Sequence, residues 1–150
     1  MALSQLLRSQ QAPLRELLLQ GNRIGADGAE ALAAALADNA ALEVLHLNGN
    51  PIGDRGAAAL AAALPRCRGL RALYLADAAI GASGAAALAA ALPGVTAPLV
   101  ALELRGNPVS GQALALLDEL VQARGAYAPA PDTGIFALGT SAVDAFGGGW

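Results

Sequence analysis

One apolar ladder returns four times along this 150-residue chain, and that recurrence leaves few folds open. Leu14, Leu17, Leu19, Asn22 and Ile24 are followed by Leu42, Leu45, Leu47, Asn50 and Ile52, then by Leu70, Leu73, Leu75, Ala78 and Ile80, and last by Leu99, Leu102, Leu104, Asn107 and Val109. The offsets are 28, 28 and 29 residues. Within each ladder the spacing alternates in and out, as a short strand with one buried face requires. After it the period changes: Ala29, Leu32, Ala33 and Leu36 recur at three- and four-residue steps, as do Ala57, Leu60, Ala61 and Leu64, Ala85, Leu88, Ala89 and Leu92, and Leu114, Leu117 and Val121. That is the inner stripe of an amphipathic helix. Each unit therefore reads as strand, loop and helix, and units of this kind bury a continuous core only by stacking. The stack has a parallel sheet inside and a row of helices outside, and the wider helical layer bends it into a horseshoe segment.

Helix starts are expected at Asp27, Asp54, Ser83 and Ser110 as N-caps. Alanine at the inner helix positions lets helix approach strand closely and is also the best helix former. Asn22, Asn50 and Asn107 are expected to bond neighbouring backbone where the chain leaves the strand. Ala78 breaks that column, so the third turn is expected to be satisfied by backbone or water.

The apolar fraction is 55% with mean hydropathy +0.48, but only 3% is aromatic, so alanine carries the score. The uncharged stretches near Ala78–Leu102 are interrupted by Gly81, Gly84, Pro93, Gly94 and Pro98, and Leu88 and Leu92 stay in register with Leu60 and Leu64. The segment reads as repeat and not as a membrane span. A net charge of −3 and a pI near 4.9 give no electrostatic footprint for nucleic acid. The lone Cys67 cannot form an internal disulfide, and without a basic stretch followed by an apolar core and a cleavage site among the opening residues no secretory leader is expected. A cytoplasmic, intracellular location is the expectation.

Four repeats are expected at 14–41, 42–69, 70–98 and 99–125. Leu3 and Leu7 match the spacing of Leu88 and Leu92, so residues 2–12 read as a helix without its strand, and 1–13 as a partial repeat of a longer array or a capping helix. Past Gly125 the ladder stops. Residues 126–150 form a Pro/Gly-containing non-repeat tail with four of the five aromatics in the chain, Tyr127, Phe136, Phe146 and Trp150. It is read as a segment folding back over the last repeat's leucines, a short docking peptide or a loosely ordered tail.

The motif I-G-x-x-G-A-x-A-L-A-A-A-L stands at Ile24–Leu36, Ile52–Leu64 and Ile80–Leu92. With the 28/29-residue period it resembles the ribonuclease-inhibitor-like subclass of leucine-rich repeats, over residues 14–124. The resemblance implies an α/β fold, a leucine-rich repeat solenoid built as a right-handed β-α superhelix. It also implies intracellular protein recognition: similar repeats occur in ribonuclease inhibitors, in the sensor arm of nucleotide-binding immune receptors and in activators of the Ran GTPase. No residue here can be carried over as catalytic.

The residues themselves point the same way. The glycines recur at repeat turns and lack a phosphate-binding G-x-x-x-x-G-K-[ST] arrangement, His46 is the only histidine, and no clustered ligands suggest a metal. No enzymatic activity, cofactor or small-molecule substrate is expected. Side chains between the inward leucines point out of the concave sheet: Leu18, His46, Tyr74 and Glu103 form one column, Gln20, Asn48, Ala76 and Arg105 the next, Glu16, Val44, Ala72 and Ala101 the other flank, with Asp77 at the border. With strands about 4.8 Å apart, Leu18, His46 and Tyr74 should make a contiguous partly apolar strip. The expected site is therefore a protein-binding surface of Glu16, Leu18, Gln20, Val44, His46, Asn48, Tyr74, Asp77, Glu103 and Arg105. Two other readings are GTPase activation of the Ran type and a structural or sensor segment of a larger receptor. Arg66, Arg68 and Arg71 read as a soluble basic loop.

Overall fold

In the computed structural model each ladder makes a three-residue strand: β1 (Glu16–Leu18), β2 (Val44–His46), β3 (Ala72–Tyr74) and β4 (Ala101–Glu103). The structure describes residues 7, 14–37, 39–97, 99–124 and, as backbone, 135–137. Helices α1 (Ala26–Leu36), α2 (Gly53–Ala63), α3 (Ala82–Ala91) and α4 (Gly111–Gln122) alternate with the strands. The strands pair in parallel, with Glu16, Val44, Ala72 and Ala101 in one row and Leu17, Leu45, Leu73 and Leu102 in the next. The repeat length sets this register. A one-residue slip would turn every leucine to the other face.

Leu17, Leu19, Leu45, Leu47, Leu73 and Leu75 point to the helices and form the core with the helical Ala and Leu stripe. Helix packs closely on helix because a Cβ at Gly56 would sit 2.9 Å from Cβ of Ala29, and one at Gly84 3.1 Å from Cβ of Ala57. That is the physical content of the second glycine in the I-G-x-x-G motif. Pro65 and Pro93 stand in short 3-10 turns, Leu64–Arg66 and Leu92–Gly94, that end α2 and α3. Among the described residues no helix is long and apolar enough to cross a membrane.

The turns depart from the sequence reading in an informative way. Asn50 and Asn107 each serve two repeats. Asn50 Nδ2 donates to the carbonyls of Leu19 and Leu47, both at 2.9 Å, while its Oδ1 accepts from Ile24 N at 3.1 Å. Asn107 likewise donates to Leu75 O and Leu104 O and accepts from Ala78 N and Ile80 N. The third turn is thus completed by Asn107 and not by backbone or water alone. The loss caused by Ala78 falls one repeat earlier, where Gly53 N bonds Ala78 O at 3.0 Å. There Gly53 takes φ +67°, whereas its counterparts Gly25 and Gly81 stay near −90° and −96°.

Capping shows the same offset. Ser110 Oγ accepts from Ala113 N as an N-cap should, but Gly25 and Gly81 occupy the cap positions of α1 and α3. Asp54 lies in the first turn of its own helix and caps the next one, accepting from Gly81 N at 2.7 Å and Gly84 N at 2.8 Å. Those bonds, with one from Ser83, hold its carboxyl below the usual carboxylate range. Asp27 pairs with Arg55, which also meets Glu30 at 2.7 Å.

Positions 21, 49 and 106 are glycines at φ +69°, +70° and +75°, and the residue in register in the third repeat is Asp77 at φ +51°. A left-handed conformation costs an L-residue. Asp77→Gly is therefore expected to stabilise the fold by about 0.5–1 kcal/mol, seen as a higher urea midpoint with unchanged slope.

Of the tail, the three residues 135–137 lie beside the first repeat and not over the last. A fifth strand, β5 (Ile135–Ala137), pairs in parallel with β1, Leu17 opposite Phe136, giving the order β4-β3-β2-β1-β5. It joins the edge beside the first repeat, at the far side of the sheet from the last. Paired there, it satisfies backbone groups that β1 would otherwise leave open. The rest of 126–150 lies outside the described residues, as does all of the expected helix at 2–12 except Leu7, which is helical and buried.

Candidate functional site

The register brings Leu18, His46, Tyr74 and Glu103 into one row across the sheet, on the face away from the helices. In a β-strand the residues flanking an inward leucine must point outward, so the row follows from the ladder. Its exposure does not. Glu16, Leu18, Val44 and His46 were all expected at the surface, yet they are 4%, 0%, 0% and 3% exposed. Toward β4 the face opens: Tyr74, Ala101 and Glu103 are half-buried, and Arg105 and Asp77 are exposed.

Strand β5 makes β1 an interior strand, and the Tyr74 ring stacks on His46 with centroids 4.2 Å apart and planes 15° from parallel. Burial pushes the His46 imidazole down to about 4, so it is neutral at physiological pH. Burial raises the Tyr74 hydroxyl, with smaller contributions from the negative charges of Glu103 and Glu16. Neither ring is poised for proton transfer near neutrality.

Other members of the expected set are engaged within the fold. Asn48 Oδ1 accepts from Ala76 N at 2.8 Å, tying the second repeat to the third. Gln20 is half-buried. Glu103 and Arg105 pair with each other at 2.9 Å, with the guanidinium side chain 78% exposed.

Beyond β4 lies a cleft of about 480 Å³ that the sequence reading did not single out. Tyr74, Leu102, Glu103 and Arg105 line its sheet side, and Leu114, Leu117, Asp118 and Val121 its helix side. The cleft exists because the stripe of α4 and the ladder of β4 have no described repeat stacked on their outer side. The absence of a fifth ladder after Val109 was the available signal. Leu116 and Leu120 on the same helix are the large apolar side chains most exposed to solvent among the described residues.

Arg124 was also missed. Its guanidinium donates to the carbonyls of Leu92, Val95, Ala97 and Leu99 and so holds the loop that leads into β4. Of the basic loop, Arg71 faces Glu43 at 3.6 Å, and Glu43 also meets Arg15 at 3.2 Å. Cys67 is buried, its thiol donates to Ala63 O, and burial, partly offset by Arg66, raises it to about 11. It is a packing residue, not a nucleophile. No group of three or more His, Cys, Asp or Glu among the described residues could hold a metal. What the open half can do is bind: it offers a fixed aromatic ring, a solvent-facing charge pair and an apolar recess.

Residues 10–33, 38–61 and 66–89 each match the leucine-rich repeat family model. No curated protein matches the chain. Among solved structures it is similar to leiomodin-1 actin-binding site 2, with a TM-score of 0.68 at 18% identity over 78% of this chain and 69% of that one. At that identity the likeness establishes fold alone.

Proposed function

From an α/β leucine-rich repeat solenoid we infer a protein-binding module, one that grips its partner through the β3–β4 half of the concave face and the cleft beyond it. The observation that carries this reading is the Tyr74 ring, half-exposed and held by its stack on His46, beside the Glu103–Arg105 pair and the apolar wall of Leu102 and Leu114. A rigid aromatic next to an arginine is the kind of site where interface energy concentrates. Such a ring loses little conformational freedom on binding, because the fold has already fixed it. Leucine-rich repeats generally mediate protein contacts, and the structural neighbour carries actin binding in its name; actin is accordingly a defined first ligand to test. We assign the repeats to the ribonuclease-inhibitor-like subclass on the I-G-x-x-G spacing, place the protein inside the cell, and expect neither catalysis of its own nor nucleic-acid or membrane binding.

Tyr74→Arg combined with Arg105→Glu is expected to weaken partner binding at least about 30-fold, equivalent to about 2 kcal/mol for a central anchor. Circular dichroism should be unchanged, and Tyr74→Phe should bind nearly as the native chain does. Co-sedimentation with filamentous actin and affinity capture from lysate, native against variant, provide the measurement. Equal capture by both chains would overturn the concave-face reading. A captured GTPase whose hydrolysis accelerates on binding would move the assignment to the activator class.

A further inference from the structure

Of the five asparagines in the chain, Asn22, Asn39, Asn48, Asn50 and Asn107, only Asn48 precedes a glycine. That neighbour decides what chemistry is open to the amide. The main-chain nitrogen of the following residue can attack the asparagine Cγ and close a five-membered ring, and glycine, which has no Cβ, hinders the approach least. Proline in that place has no N–H to give up, which excludes Asn50 and Asn107. Gln20 is also followed by a glycine, but its side chain is one methylene too long for the same ring. Asn48–Gly49 is thus the chemically weakest amide of a residue type that is thermolabile in general.

In the folded chain both reacting groups are held by one residue of the next repeat. Asn48 Oδ1 accepts from Ala76 N at 2.8 Å, which turns the carboxamide toward the third repeat. Gly49 N, the attacking atom, donates to Ala76 O at 2.9 Å, so its proton and its direction are both fixed. On the other side Asn48 O accepts from Gly21 N at 2.9 Å, and the peptide group is clamped between two neighbours. Ring closure requires Gly49 N to leave Ala76 O and the carboxamide to swing off Ala76 N. The second and third repeats must therefore part at this turn. Stacked repeats open locally at less cost than unfolding the whole array.

We propose that Asn48–Gly49 is a deamidation site kept shut by Ala76, one that reacts when the second and third repeats separate and does not reset afterwards. In the step, the bond from Gly49 N to Asn48 Cγ forms, the Cγ–Nδ2 bond breaks, and the Gly49 amide proton leaves with the departing nitrogen as ammonia. Water then opens the cyclic imide. Addition at Cγ gives aspartate at position 48, and addition at the main-chain carbonyl gives isoaspartate, with the chain running on through the former side chain. Either product adds a negative charge in the column of Gln20, Ala76 and Arg105. The isoaspartyl product also lengthens the main chain by one carbon, which displaces Gly49 from Ala76 O and Asn50 from Leu19 O and Ile24 N. The site records repeat separation whatever partner the concave face takes.

The test follows conversion of residue 48 to its acid form by peptide mass mapping, in the full native chain and in a synthetic peptide of residues 43–54, at neutral pH. Exchange of the Gly49 amide is measured on the same native sample by NMR. The native chain is expected to deamidate at least about 30-fold more slowly than the peptide. The slowing should be no smaller than the protection factor of the Gly49 amide, because exchange needs one of the two bonds to open and reaction needs both. Urea below the unfolding midpoint should raise both rates together. Asp27–Gly28, which can close the same ring, isomerises without losing ammonia and so stays out of the mass readout. A native rate equal to that of the peptide, a peptide that keeps its amide, or a native rate unmoved while urea speeds exchange at Gly49 would each overturn the proposal.

Discussion

Asn107→Ala should cost the solenoid about 4 kcal/mol, enough to unfold or detach its last repeat. The side chain makes four bonds, to Leu75 O at 2.7 Å, Leu104 O at 2.8 Å, and from Ala78 N and Ile80 N at 2.9 Å each. Truncation strands two donors and the Leu75 carbonyl, while Leu104 O keeps the bond from Asn107 N at 3.3 Å, and a buried polar group left without a partner costs about 1–3 kcal/mol. Some water reaches a site that is 9% exposed, which keeps the total toward the lower end of the sum. A domain of this size has about 5–15 kcal/mol in all. Repeat arrays also lose stability unit by unit, so a urea melt should show a lower midpoint and a broadened transition. Hydrogen exchange should speed first at Ala78 and Ile80. Unchanged protection at those two amides would show that water replaces the asparagine.

Acidification should expose the second large effect. His46 is held neutral in the folded chain with its titration near 4, against 6.5 when solvated. Between those values the unfolded chain binds a proton that the folded chain refuses, so stability is full above about pH 6.5 and falls as the pH drops toward 4. The loss is about 2 kcal/mol by pH 5 and about 3 kcal/mol below pH 4. At pH 5 most carboxylates are still ionised, and Asp54, held low by its bonds to Gly84, Ser83 and Gly81, contributes only further down. Urea midpoints of the native chain at pH 7.5 and pH 5 should therefore differ, and those of His46→Phe should differ much less. Equal acid sensitivity in both chains would place the titration elsewhere.

The repeats were legible because a fixed period leaves no freedom of register. Leu17, Leu45, Leu73 and Leu102 had to align once the ladder did, and so did the row from Leu18 to Glu103 on the opposite face. The caps were less legible, since sequence proximity assigns Asp54 to its own helix and the structure gives it to the next. Asn107 shows the same displacement. Reading each unit separately could not reveal bonds that run between units. The exposure of Leu18, Val44 and His46 was out of reach for a different reason. Whether an outward residue meets water depends on what settles over it, and the ladder's period says nothing of that. The cleft beyond β4 stands between these cases: the missing fifth ladder announced an unstacked end, but its lining by Tyr74 and Asp118 required coordinates.

Because Asn50 and Asn107 each complete the turn of the unit before them, the piece that evolution can copy or delete is not the piece that folds. A segment duplicated from ladder to ladder arrives with its own strand and helix but leaves its last turn in the keeping of whatever lands downstream. The third unit, which carries alanine at position 78, keeps a sound turn through Asn107, and the altered backbone falls on its upstream neighbour, where Gly53 takes φ +67°. Lineages of such chains should tolerate loss of the asparagine only where the preceding unit holds a glycine at the position of Gly53, so drift in one unit is constrained by the spelling of another.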